Sequence, residues 1–208
     1  MGTARTIAGV AGWLALASAA TVAAAAERLV LEPYPSGVWY DVINQTGAGG
    51  FVREQMPQGQ TPQDARDVLT AQSVRGYTGS PAAYISHAFT DLSQHCDTVE
   101  TVGPTIDVEG GRTVAYGRFF CGRQKGQAYG AHVFFKAIQG SEALYVVDRD
   151  FRTPGSDHPS VAPLPADQAI AFLQAESAAR KYLADKVYVC DPVFPEPRCT
   201  GEAVPTGR

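Results

Sequence analysis

Residues 112–152 read RTVAYGRFFCGRQKGQAYGAHVFFKAIQGSEALYVVDRDFR, and this stretch decides the fold. It divides into three segments rich in aromatic and β-branched residues, 113–121, 128–138 and 143–151, separated by two short links that contain glycine. Residues of these types favour pleated strands, and glycine-containing links favour tight turns. The stretch therefore predicts a three-stranded antiparallel meander.

The segments before the meander indicate a further pair of strands. Residues 38–43 are rich in β-branched and aromatic side chains, and residues 51–56 alternate apolar with polar side chains. The link at 46–50 contains three glycines, which reach positive φ freely and so favour a turn. The pattern predicts an N-terminal hairpin.

Three segments carry helix signals. Thr61-Pro62-Gln63-Asp64 offers an N-cap, a proline and an early acid, and apolar residues then continue at helical spacing to about residue 72. Ser80-Pro81 starts a second helix that runs to Cys96, and a third follows over about 165–186. We therefore predict an α+β fold in which a single antiparallel sheet, the hairpin plus the meander, is packed by about three helices.

All four cysteines, Cys96, Cys121, Cys190 and Cys199, lie in the part of the chain after residue 26. An even number of cysteines in an exported chain indicates disulfides. Three pairings are possible, and we favour Cys96 with Cys121 and Cys190 with Cys199 because each closes a local loop. The close cysteine pairs that are typical of zinc sites do not occur in the sequence.

The N-terminus has the pattern of a cleavable signal peptide. Arg5 is the only charged residue before Glu27, an apolar run follows it, and the segment ends in Ala24-Ala25-Ala26. We predict a cleaved signal peptide at 1–26, one α+β domain at 27–190 and a proline-rich tail at 191–208, which a Cys190–Cys199 disulfide partly tethers. The predicted location is periplasmic or secreted, in a bacterium.

The charge balance excludes two classes of partner. The chain has a formal net charge of −4, and its basic residues form no stripe. Nucleic-acid binding and adhesion to anionic membranes both need concentrated positive charge. We therefore expect no nucleic-acid partner and no membrane contact after signal cleavage.

A polar stripe on the second helix is a candidate metal site. His87, Asp91 and His95 follow one another at intervals of four residues, and imidazole and carboxylate both bind zinc. Residues eight apart span about 12 Å of helix axis, so only one i, i+4 pair could chelate an ion. Further ligands would have to come from elsewhere, with His132 as one possibility. The alternative is a solvated helix face.

A second candidate is an acidic pair. Asp148 and Asp150 alternate with Arg149 and Phe151, so both carboxylates point to one face of the strand. Paired acids can perform acid–base chemistry, and the alternative is that they are solvated or paired with arginines. The sequence contains neither a nucleophile elbow nor a phosphate-binding glycine motif.

Several short motifs resemble those of a known group of proteins. They are Pro57-Gln58-Gly59-Gln60-Thr61, the run at 136–140 and the strand at 144–152 that ends in Phe151-Arg152. Together they resemble poorly characterised exported bacterial domains, whose layout is loosely similar to the PsbP/Mog1-like sandwich. The resemblance covers about residues 38–152. It implies an accessory or binding role without catalysis, and it lends no catalytic residues to this chain.

The sequence is consistent with three functions. The first is a non-catalytic accessory or binding protein, which presents the residues around Trp39, Tyr40 and Phe51 to a protein or small ligand and uses no cofactor. The second is a metal-dependent or hydrolytic enzyme of the periplasm. The third is an immunity or inhibitor protein, a role that small, acidic, disulfide-bonded exported domains can fill.

Overall fold

The computed structural model describes residues 26–34, 37–191 and 197–199. The predicted signal peptide lies outside the described residues except for Ala26, and so does most of the predicted tail. The strands are β1 Arg28–Leu31, β2 Trp39–Gly47, β3 Gly50–Pro57, β4 Asp67–Arg75, β5 Val99–Glu109, β6 Arg112–Cys121, β7 Tyr129–Gln139, β8 Ala143–Pro154 and β9 Val187–Cys190. The helices are α1 Pro81–Ser93 and α2 Ala166–Lys186, and a 3-10 turn spans Pro197–Cys199.

The strands form two antiparallel sheets. Seven strands pair in the order β2-β3-β4-β8-β7-β6-β5, and β1 pairs with β9 in a separate two-stranded sheet. The predicted N-terminal hairpin is present as β2 and β3, and the predicted meander is present as β6, β7 and β8. Both therefore belong to the larger sheet.

The large sheet lies between the two helices. Successive residues of a strand point to opposite faces, so Phe119 packs in the cluster that contains Ile85 of α1. Phe120 packs in the cluster that contains Tyr182 and Leu183 of α2. We call these two sides the α1 face and the α2 face. Helix α1 contacts β5, β6 and β7, whereas α2 contacts β7, β8 and β9.

The prediction of a helix over 61–72 is wrong. Thr61 donates hydrogen bonds from its main-chain nitrogen and Oγ1 to Asp64 Oδ1, at 2.6 and 2.7 Å, so the helix-start signal forms only an isolated turn. The chain then continues as β4, which pairs with β3 on one side and with β8 on the other. Pairing along two neighbouring strands outweighs a local helix signal, because most helix stability comes from tertiary packing.

The predicted architecture of a single sheet with about three helices is therefore also wrong. Among the described residues there are two α-helices, and the last short strand pairs with β1 instead of joining the main sheet. Strand β5 extends the sheet beyond the predicted meander, since nine of its 11 residues pair with β6. These differences arise from long-range pairings, which local patterning does not reveal.

Both favoured disulfides are present. Cys96 is bonded to Cys121, which ties the turn after α1 to the end of β6, and Cys190 is bonded to Cys199. Disulfides form and persist in oxidising, extracytoplasmic compartments. Among the described residues, neither α1 nor α2 has the length and apolar character that a bilayer-spanning helix needs.

Candidate ligand-binding groove

A groove of about 340 Å³ runs between α2 and the strands β5 and β6. This volume falls within the range of small-ligand sites, roughly 300–1,000 Å³. We call it the α2 groove, and its lining residues are Val102, Thr105, Tyr116, Gly117, Arg118, Phe134, Phe135, Arg180, Leu183 and Ala184.

Strand periodicity and a bulge shape this groove. Tyr116 and Arg118 are two residues apart on β6, so both side chains project to the α2 face. At the rim, the pairing of β5 with β6 changes register between Val102 and Thr105. A bulge of this kind bends the strand locally and interrupts the ladder. The groove therefore lies where β5 departs from regular pairing under the C-terminal half of α2.

A largely buried polar cluster adjoins the groove through Tyr116, which is one of the lining residues. Tyr116 donates a hydrogen bond through its hydroxyl to Glu109 Oε1, and Lys136 donates one from Nζ to Glu109 Oε2 at 2.7 Å. Lys136 Nζ also donates to the carbonyl oxygens of Val187, at 2.8 Å, and Ala184, at 3.3 Å. Its three donors are therefore used, and the Glu109 carboxylate is neutralised by Lys136.

Burial also shifts the pKa values of Tyr116 and Lys136. Burial raises the pKa of Tyr116 well above its usual range, and the hydrogen-bonded Glu109 carboxylate adds to the rise. Burial also lowers the pKa of Lys136, although the Glu109 carboxylate opposes this. The three side chains bind one another, so the cluster holds Tyr116 in place at the groove and does not supply free acids and bases.

Two arginines also line the groove, and neither belongs to the hydrogen-bonded cluster. Arg118 on β6 is half-buried, and Arg180 on α2 is exposed. Within residues 26–34, 37–191 and 197–199, neither guanidinium has a hydrogen-bond or ion-pair partner. A half-buried cation without a partner is costly, because burial removes part of its hydration. The groove thus combines an apolar floor with two guanidinium groups, of which Arg118 is partly desolvated and Arg180 is open to solvent.

A second groove lies along the N-terminal half of α2, where it reaches β4 and β8. It has a volume of about 600 Å³ and includes Phe151, Phe172 and Arg152 in its lining. The Arg152 guanidinium is already engaged, since it stacks on the Tyr129 ring at 4.2 Å and donates to the Gln63 carbonyl at 3.4 Å. We therefore favour the α2 groove as the ligand site.

The structure does not bring the three predicted binding residues together on one surface. Trp39 and Phe51 pack against the core cluster on the α2 face, and the Arg149 guanidinium lies 4.7 Å from the Trp39 ring. Tyr40 follows Trp39 on the same strand and points to the other face. Its hydroxyl donates a hydrogen bond to the Gln60 carbonyl. The first two side chains therefore contribute to packing.

The predicted metal-binding stripe lies on the exposed side of α1. His87, Asp91 and His95 are all exposed, and His95 falls two residues beyond the end of the helix. Among the residues that the structure describes, no three His, Cys, Asp or Glu side chains are grouped in a way that could hold a metal ion. The geometry therefore gives the metal hypothesis no support.

His132, the possible additional ligand, lies across the sheet from that stripe. It is buried on the α2 face, where its ring meets the rings of Phe120 and Phe172 edge-on. Nδ1 is 2.6 Å from Glu176 Oε1, and Nε2 is 2.9 Å from the Pro159 carbonyl oxygen. Both ring nitrogens are engaged, so this histidine has no nitrogen available for an ion shared with α1.

The acidic pair on β8 has the predicted orientation. Asp148 is paired with Phe135, and Asp150 with Val133, so both carboxyls project to the α1 face. Burial raises the pKa of Asp148 to about 8, and the Asp150 and Glu54 carboxylates add to the rise. Burial likewise raises the pKa of Asp150 to about 6. Neither carboxyl lines the α2 groove or the second groove, so the pair stands apart from the candidate ligand site.

Sequence reasoning missed the arginines of the groove. They are distant in the chain, on a strand and a helix, and no motif joins them. One signal was present: Arg118 has the same strand parity as Val114, Tyr116 and Phe120, so an inward-facing cation could have been noticed. Which helix would cover that cation could not be predicted from the strand alone.

No protein-family model matches the chain, and no curated protein matches it significantly. Among solved structures, the fold is similar to that of LpqN, a protein involved in cell envelope biogenesis of Mycobacterium tuberculosis. The TM-score is 0.43 at 16% sequence identity, over 80% of this chain and 85% of LpqN. A likeness at this level carries no weight on function, and the resemblance to the PsbP/Mog1-like sandwich stays a prediction.

Proposed function

We propose that this protein is an exported accessory protein that binds a small ligand in the α2 groove and performs no chemistry on it. The observation that carries the proposal is the groove itself, in which an apolar floor and two guanidinium groups form one lining. Ligand sites commonly combine apolar walls with a few polar groups in this way. Tyr116 of the lining is hydrogen-bonded to Glu109, which in turn pairs with Lys136, so the hydroxyl of this lining residue is already engaged, which favours binding over catalysis.

Export is the second part of the proposal. The segment 1–26 has the charge, apolar run and small-residue end of a secretory signal, and the domain carries two disulfides. We place the mature protein in the periplasm or outside the cell. Capture of a partner distinguishes the accessory role from an inhibitor role, because an inhibitor would copurify with a toxin or hydrolase at equal stoichiometry.

The binding proposal is tested with a neutral fluorescent probe, N-phenyl-1-naphthylamine, whose emission rises in apolar sites. We expect saturable binding of one probe per mature protein. Ala184 lines the groove and is exposed on α2, so Ala184→Trp should fill the groove and abolish binding. Ala178 is exposed on the same helix outside the groove, so Ala178→Trp is the matched control. Unchanged binding in Ala184→Trp, or no binding to the unaltered protein, would refute the proposal.

A further inference from the structure

We infer that the ligand of the α2 groove is an amphipathic anion, a carboxylate or phosphate monoester on an apolar body. This inference rests on the proposed function, which supplies the site. It adds the chemistry of the ligand, in which Arg118 and Arg180 bind the anionic head and the floor of the groove takes the apolar part.

The head-group assignment follows from the two arginines. Arg118 comes from β6 and Arg180 from α2, so the walls on two sides of the groove each contribute one guanidinium. A guanidinium presents a planar fork of donors that matches a carboxylate or a phosphate, and such charge-assisted hydrogen bonds are stronger than neutral ones. An anion at this position would supply the partners that both side chains lack within the described parts of the chain.

The Glu109 carboxylate does not pair with Arg118 or Arg180. Glu109 accepts a hydrogen bond from Tyr116 of the groove lining but is not itself part of that lining, and its carboxylate is already paired with Lys136 Nζ at 2.7 Å. The whole chain has a formal net charge of −4, so a general attraction for anions cannot account for binding. Affinity for an anion must therefore come from the local arrangement of Arg118 and Arg180.

The rest of the lining requires an apolar body. Val102 and Tyr116 pack against the core on the α2 face, and Phe134 and Leu183 belong to that core. An inorganic anion would leave this surface exposed to water, whereas an alkyl or aryl chain would cover it, at a gain of roughly 25 cal/mol per Å² of apolar area. An amphiphile can therefore bind both the two arginines and the apolar floor, whereas a small inorganic ion can bind only the arginines.

The test is displacement of the neutral probe by a matched series of twelve-carbon ligands below their micelle concentrations. The series comprises dodecanoate, dodecyl phosphate, dodecanol and dodecyltrimethylammonium, with acetate and inorganic phosphate as head-group controls. We expect the two anions to displace the probe at least about tenfold more tightly than dodecanol, the worth of one charge-assisted hydrogen bond. The ratio between the two anions assigns the head group as carboxylate or phosphate.

Variants assign the effect to the arginines. Arg118→Gln and Arg180→Gln should each weaken dodecanoate about tenfold and leave dodecanol unchanged, while Arg118→Lys should restore part of the affinity because it keeps the charge. Arg75 is exposed at the end of β4, outside the groove, so Arg75→Gln is the control. Thermal unfolding of each variant verifies that it folds.

The outcomes separate the two proposals. If dodecanol displaces the probe as tightly as dodecanoate, or if Arg118→Gln weakens both equally, the groove is confirmed and the anion assignment is refuted. If the probe itself does not bind, the proposed function fails and this inference fails with it. If acetate or inorganic phosphate competes as well as dodecanoate, the apolar half of the assignment is refuted.

Discussion

Lys136 on β7 and Glu109 on β5 form a partly buried ion pair of 2.7 Å across the intervening strand β6. The Lys136 side chain is fully buried, and the same ammonium bonds the Val187 carbonyl at 2.8 Å, just beyond α2. One side chain thus connects the edge of the sheet to the end of the helix that covers the α2 groove.

The first prediction concerns this link. Lys136→Met should destabilise the protein by about 1–3 kcal/mol, because the partly buried Glu109 carboxylate and the Val187 carbonyl both lose their hydrogen-bond donor. Lys181→Met removes an exposed pair with Asp185 on α2 and should cost less than about 0.5 kcal/mol. Urea unfolding measures both values. Equal costs for the two substitutions would show that the partly buried pair has no special weight.

The second prediction concerns pH. Asp148 and Asp150 have pKa values raised to about 8 and about 6, above the value of an unfolded chain. Between that lower value and the raised one, the folded state binds more protons than the unfolded state, so stability falls as pH rises. Each carboxyl contributes a slope of at most about 1.4 kcal/mol per pH unit in its window.

Asp148→Asn removes one of these titrations and should flatten the curve. Compared with the unaltered protein, the variant should gain stability between pH 5 and pH 9. Asp91→Asn, an exposed site on α1, should follow the unaltered curve. Urea unfolding across this pH range checks the difference, and parallel curves for Asp148→Asn and the unaltered protein would contradict the raised pKa.

The third prediction concerns the approach of α1 to the sheet. A Cβ at Gly117 would lie 2.6 Å from Ile85 Cγ2 and 2.7 Å from Phe89 Cζ, closer than real contacts allow. Gly117→Ala should therefore destabilise by roughly 1–3 kcal/mol through overpacking. Gly49→Ala, in the turn between β2 and β3, meets nothing within 4 Å and serves as the control. Calorimetric unfolding decides, and equal transition temperatures for the two variants would overturn the argument.

The fourth prediction ranks the disulfides. Cys96–Cys121 closes a separation of 25 residues, and Cys190–Cys199 closes one of 9. The loop-entropy model assigns about 3 kcal/mol to the first and about 2.5 to the second. The Cys96–Cys121 disulfide is also buried against α1. Replacing both of its cysteines with alanine should therefore destabilise the protein more than replacing Cys190 and Cys199. A larger loss on removal of Cys190–Cys199 would reverse this ranking.

The fifth prediction concerns processing. The exported protein should begin at Glu27, whose buried carboxylate accepts hydrogen bonds from the Ser141 nitrogen at 2.6 Å and Oγ at 2.8 Å. Intact mass of the exported protein tests this. Ala26→Arg, at the cleavage position, should block processing, whereas Ala25→Arg, at the unspecified middle position, should allow it. Full-length protein at the expected destination would contradict the prediction.

Local sequence carried enough information for the elements whose signals are local. The β2–β3 hairpin and the β6–β8 meander connect neighbouring strands through short glycine-containing turns, so composition and turn residues predict them. Helix α1 begins at Pro81 after Ser80, whose hydroxyl accepts from the Ala83 nitrogen, as its start signal predicted. The two disulfides were likewise favoured because each closes a local loop.

Long-range pairing decided what local sequence could not. Residues 67–75 follow a genuine helix-start signal, yet they form β4 because β3 and β8 offer main-chain partners on both sides. For the same reason β9 pairs with β1, more than 150 positions earlier in the chain. The free energy of such pairings depends on which segments meet, and this is not written in any one window of residues.

For the candidate site, too, some features follow from the sequence and others only from the tertiary structure. The sequence alone predicts an export signal and shows four cysteines that can pair locally, a β-rich centre and no motif that commits the chain to a reaction. Only the tertiary structure decides that Arg118 and Arg180 line one apolar groove, and that Lys136 neutralises the Glu109 carboxylate. The physical reason is that burial and charge compensation are properties of neighbours in space, and these residues become neighbours only when α2 packs on the sheet.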